Sequence, residues 1–134
     1  MVWKLTCIST LLVACCLSGC GPSGPVMVPV SGTVTLDGEP MEDGVVYFKR
    51  PEVGAVDRME VKDGKFAGIA EVGDRRVEVC RYRFGEPFRM GNAEIPNRIE
   101  TIDAKFNTNS ELTANVTEDG SNEFQFEVTL KKAE

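Results

Sequence analysis

The sequence predicts an all-β chain, an antiparallel β-sandwich of about seven strands. Three observations carry this reading. From Val28 onward apolar residues recur at every second position. Turn pairs such as Asp37-Gly38 and Asp63-Gly64 punctuate those runs. No apolar stripe follows the three-and-four spacing of an amphipathic helix.

The amino terminus stands apart from this pattern. Met1-Val2-Trp3-Lys4 is a short segment with one positive charge, and residues 5–17 form an apolar stretch softened by Thr6, Ser9 and Thr10. Its length suits the apolar region of a signal peptide and falls short of the ~20 residues a spanning helix needs. Leu17-Ser18-Gly19-Cys20 then resembles the bacterial lipobox, where a diacylglyceryl group is joined to the cysteine thiol and the leader is cut away before it. The expected division is a signal peptide over residues 1–19, a lipidated Cys20 with a flexible tether over 20–28, and one β-domain over 29–134. Acyl chains contribute about 0.8 kcal/mol per buried CH₂, so the expected first partner is a lipid bilayer held through Cys20. Gly21, where enteric inner-membrane lipoproteins carry aspartate, favours the outer membrane. Gly21-Pro22-Ser23-Gly24-Pro25 has the composition of a tether.

The strands follow in order. Val28, Val30, Val34 and Leu36 share one face, with Gly32 on that face and Ser31, Thr33 and Thr35 opposite. Asp37-Gly38-Glu39-Pro40 is turn chemistry. Val46 and Phe48 alternate with Val45 and Tyr47 in a second strand, and residues 57–62 lead through Asp63-Gly64 into a return strand over 65–70. Residues 75–84 read as one longer strand, with Val77 and Val79 on a common face. Leu112, Ala114 and Val116, then Phe124, Phe126, Val128 and Leu130, read as a closing hairpin about Gly120. Residues 85–111 are polar, contain Pro87 and Pro96, and read as a long connection that either is functional or holds an irregular strand.

Several of these segments resemble a known family. Val30-Ser31-Gly32-Thr33-Val34, Asp37-Gly38-Glu39-Pro40 and the strand ending at Phe48 are similar to the opening of carboxypeptidase-regulatory-like, transthyretin-like domains. Asp63-Gly64-Lys65-Phe66 resembles their D-G-x-F hairpin. Gly73 with Val77 and Val79 resembles a later strand in which Arg75 stands where tyrosine is usual. The segment from Ser110 to Phe126 resembles the ending of planctomycete-type lipoproteins of this group. The resemblance implies a transthyretin/prealbumin-like sandwich of seven or eight strands and implies no reaction.

Composition narrows the function. The chain holds 134 residues and no histidine, which removes the commonest general base and every Ser-His or Cys-His nucleophilic pair. No enzyme activity and no cofactor are expected. Lys4 is the leader's only charge, so after cleavage 14 of the 15 basic residues face all 21 acidic ones, a net −7. Such a surface repels nucleic acid, which is not an expected partner. Four of the five cysteines lie in the leader or at the lipidation site; Cys80 is left alone and reads as a buried small hydrophobe.

Two clusters remain. Asp37, Glu39, Glu42 and Asp43, with Glu118 and Asp119, supply oxygens of the kind calcium takes, without a known loop spacing. Arg75, Arg76, Arg81, Arg83 and Arg89 interleave with Tyr82, Phe84 and Phe88, a pattern that suits either anion binding or the outer face of a strand paired with glutamates such as Glu60 or Glu71 on its neighbour. Arg81, Arg83 and Arg89 are the candidate partner-binding residues, expected near one another beside the long polar segment. The leading expectation is a membrane-anchored envelope lipoprotein whose sandwich is a non-catalytic interaction or structural module with an envelope protein partner. The alternative is a ligand- or calcium-binding carrier in the periplasm or at the cell surface.

Overall fold

Ten strands form among the described residues of the computed structural model, which are Gly21 and residues 24–133. The expected signal peptide over residues 1–19 and the expected lipidation site Cys20 lie outside them. The strands are β1 (Met27–Leu36), β2 (Glu39–Pro40), β3 (Asp43–Arg50), β4 (Ala55–Lys62), β5 (Lys65–Glu71), β6 (Gly73–Cys80), β7 (Tyr82–Met90), β8 (Ala93–Glu100), β9 (Thr113–Val116) and β10 (Glu123–Val128). The only helical turn described, a 3-10 turn, spans Ala104–Phe106. The chain is all-β.

Seven strands line up in the order β10-β1-β5-β4-β3-β6-β9, with β2 added beside β1. Every pair in this sheet is antiparallel except β1 with β10, which run parallel. The two hairpin pairs expected from the sequence adopt left-handed backbone at both positions, Asp37 and Gly38 (φ 50° and 88°) and Asp63 and Gly64 (φ 52° and 76°). That geometry matches the twist of the strands the turns join. Beyond the Asp63-Gly64 turn, β4 and β5 pair only at Val61–Phe66 and Lys62–Lys65 before they part. The sheet curls there, and its two halves face each other.

The core fills the space between the halves. Phe48 of β3 packs its ring against Phe66 of β5 and against Phe124 and Phe126 of β10, with centroids 6.1, 5.7 and 6.3 Å away. Val30, Val34, Val46, Met59, Val61, Val77, Val79 and Val116 surround this cluster. Gly32 sits where no side chain fits, since a Cβ there would lie 2.0 Å from the Phe124 carbonyl oxygen and 2.6 Å from the Phe66 ring. The inward positions expected for β1, β3 and β6 are therefore those observed. Leu130 is the exception at the end of the chain, being largely exposed past the end of β10.

Three expectations are corrected. Residues 112–130 do not close on themselves as a hairpin: β9 pairs with β6 and β10 with β1, at opposite edges of the sheet. Asn122 secures this crossing from half to half. Its side chain accepts from the Thr117 amide and donates to the Thr117 carbonyl, at 2.9 and 2.8 Å, while its own carbonyl accepts from Ser31. Alternation specifies which way each strand faces and leaves its neighbour open, so both topologies satisfy the same pattern. Residues 75–84 break into two strands at Arg81. Residues 85–111 are not irregular throughout, because most of 82–100 forms the hairpin β7–β8, paired with no other strand.

Arg75 is the largest departure on the inner face. It occupies the same side of β6 as Val77 and Val79 and is 1% exposed. Its guanidinium donates to the Glu71 carbonyl and carboxylate at 2.9 and 2.7 Å and lies 3.5 Å from Asp57. Arg50 reaches the same Glu71 at 3.2 Å. The network plugs one end of the core where β4 and β5 have separated, and the Glu71 amide donates to Asp57 across the gap.

Candidate functional site

The ribbon β7–β8 is the element whose side chains are not used up by the core. Its base is fastened tightly. The Arg81 amide and the Ile102 amide both donate to Glu100 Oε1 at 2.9 Å, and the Arg81 carbonyl accepts from the Thr101 amide and hydroxyl. Residues 101–103 then pair with 129–131 at the edge of the body, and Ile102 is buried. Above this clamp the ribbon projects with little cover.

A bulge decides which residues share a face. Arg83 pairs with Ile99 and Gly85 with Asn97, after which two residues of β7 oppose Pro96 before Phe88 pairs with Ile95 and Met90 with Ala93. Directly opposed residues point the same way, and the extra residue shifts β7 by one position. One face therefore carries Phe88, Met90, Ala93, Ile95 and Ile99, with Gly85, Asn97 and Arg83 toward the base. The position of Gly85 agrees, since a Cβ there would meet Ile99 and Asn97. Phe88, Met90 and Ile99 are 49%, 66% and 48% exposed. The other face holds Tyr82 under the Arg98 guanidinium, 4.3 Å from the ring centre, and a cleft of about 330 Å³ lined by Phe84, Pro87, Glu94 and Pro96.

The three candidate arginines divide. Arg81 and Arg83 converge on Asp43 Oδ1 at 3.1 and 3.5 Å, and Glu42 adds a second carboxylate 3.7 Å from Arg81. Arg81 is nearly covered and behaves as a bracket between the ribbon base and β3. Arg83 is half exposed. Arg89 stands opposite Glu94 near the free end, about 20 Å farther along the strand at the usual rise per residue. Arg76, also in the arginine run, donates to the carbonyls of Asn107, Thr108 and Ser110 and so holds the loop after the ribbon against β6.

The acidic turns are partly engaged as well, because Asp43 is taken by the two arginines. Among the described residues no group of three or more His, Cys, Asp or Glu side chains is placed to hold a metal ion. A second, larger hollow of about 470 Å³ opens where β4 and β5 diverge, lined by Thr33, Glu60, Lys65, Phe66 and Glu123.

Cys80 is buried at the end of β6, beside Tyr82 and Glu100. Burial, with Glu100 and Glu78 adding and the Tyr82 hydroxyl opposing, pushes its thiol up to about 11 from 9.0. The thiolate fraction at neutral pH is correspondingly small, and so is its nucleophilicity. Tyr82 is itself pushed up to about 12, first by burial and then by Cys80.

Sequence reasoning placed candidate residues in this region through the arginine and aromatic run but missed Ile95, Ile99 and Met90. Their signal is the bulge at Gly85-Glu86-Pro87, which breaks the alternation the eye follows. No family model, curated protein or solved structure matches this chain.

Proposed function

We propose that this protein is a membrane-anchored envelope lipoprotein whose β-domain is a non-catalytic interaction module, with the β7–β8 ribbon as its contact element. The observation that carries the reading is the placement of two points on β6. The chain enters the body beside its first residue, where the Val72 amide donates to the Val26 carbonyl. The ribbon leaves just past its last, at Arg81. Eight extended residues separate them, about 25 Å. A lipid on Cys20 holds the Val26 end near a bilayer, favouring the outer membrane, and the base of the ribbon then lies at the end of β6 farther from the lipid, open to an envelope protein.

The domain type proposed is carboxypeptidase-regulatory-like, of transthyretin-like architecture. Support comes from the V-x-G-x-V segment lying in β1 with Gly32 pressed against Phe66, and from the D-G-x-F segment forming the β4–β5 turn. No enzyme activity is assigned. The chain lacks histidine, and the buried Cys80 is kept protonated.

The anchor is tested on the full chain in a bacterial host. Labelled palmitate is expected in the wild type, and Cys20→Ala is expected to abolish both the label and cleavage before residue 20. A Cys20→Ala protein that is cleaved and still sediments with membranes contradicts the anchor.

A further inference from the structure

The ribbon poses a problem of stability that points to an occupant. A two-stranded hairpin is marginal in water unless something covers one of its faces. Here the body covers neither face of the outer part, and one of them gathers Phe88, Met90, Ile95 and Ile99. Charge indicates what covers it. Residues 82–100 hold Arg83, Arg89 and Arg98 against Glu86, Glu94 and Glu100, a balance of zero, so the whole net −7 of the mature chain resides outside the ribbon. Two copies repel one another body to body, and the projecting neutral ribbon is where they meet at least electrostatic cost. The apolar face carries no charge beyond Arg83, already bound to Asp43, so stacking it on an identical face strips water from no unpaired ion.

We propose that the ribbons of two copies of this chain stack face to face through Phe88, Met90, Ile95 and Ile99, related by a two-fold axis. This rests on the reading of the ribbon as the contact element and names its occupant. Edge-to-edge pairing is the poorer alternative, because Pro87 and Pro96 interrupt both strands with residues that lack an amide donor. A face about 25 Å long is smaller than a standard protein interface, so the dimer is weak in dilute solution and forms where anchoring raises the local concentration.

Neighbouring positions on opposite faces supply the test. Full-length Ile95→Cys and Glu94→Cys, produced in membranes, are each labelled with a benzophenone maleimide and irradiated. A chain-to-chain adduct of doubled mass is expected from position 95 and not from position 94, and adding Phe88→Glu to the first variant is expected to reduce it at least tenfold. An adduct from position 95 only with a different protein overturns the second copy as occupant but leaves the ribbon as a contact element. Equal yields from both positions, or none from position 95, overturn both.

Discussion

Phe48→Ala is expected to lower stability by about 3–5 kcal/mol, read as a shift of the urea midpoint at unchanged slope. Phe48 is fully buried and, from β3, meets three rings of the facing half of the curled sheet, Phe66 of β5 and Phe124 and Phe126 of β10. Removing it opens a cavity at the point where the halves are held together. Collapse around that cavity is hindered because the surrounding backbones are fixed by ladder hydrogen bonds on each side. Phe84→Ala removes the same ring from a site 76% exposed and is expected to change stability by less than about 0.5 kcal/mol. Similar losses from the two variants would show that the core has been placed wrongly.

Arg75→Ala is expected to cost about 3 kcal/mol, for an electrostatic reason. A buried ion pair adds little net stability, but removing one partner strands the charge that remains. Loss of Arg75 leaves Glu71 and Asp57 facing each other at the end of the core. Arg50 still reaches Glu71, which keeps the effect at the low end of the range for broken buried pairs. Arg75→Met fills the volume without a charge, so on its own it leaves the same two carboxylates. Combining it with Glu71→Gln and Asp57→Asn is expected to recover most of the loss. Thermal melts of the four proteins decide it, and an Arg75→Ala protein as stable as the wild type would mean that water already screens this network.

Much of the body was legible because its strands are half-buried. Val28, Val30 and Val34, then Val77 and Val79, alternate with polar residues, and each of these valines faces the core. The Asp-Gly pairs were legible because positive φ at both turn positions leaves few residue choices. Neighbour choice was hidden. The pattern in β9 and β10 is the same whether they pair with each other or with β6 and β1, and the segment that carries the chain between the two edges is tied by Asn122 on Thr117, two unremarkable polar residues. The ribbon was hidden for a different reason. With both faces largely in water it has no inside to impose alternation, and its bulge shifts the apolar face by one position halfway along. The burial of Arg75 is hidden in the sequence because long charged side chains are seldom fully buried; the carboxylates that make it tolerable come from β4 and β5.

The body is expected to be stable without the ribbon, whose role is contact. Replacing residues 83–99 with an Asn-Gly turn keeps Tyr82, Glu100 and the clamp on the Arg81 and Ile102 amides. The decisive measurement is the melting temperature of that shortened protein in detergent. A value within a few degrees of the full chain is predicted, because the core side chains lie outside the excised segment. A collapse of the transition, with β-structure lost at room temperature, would contradict the account and make the ribbon part of what holds the fold together.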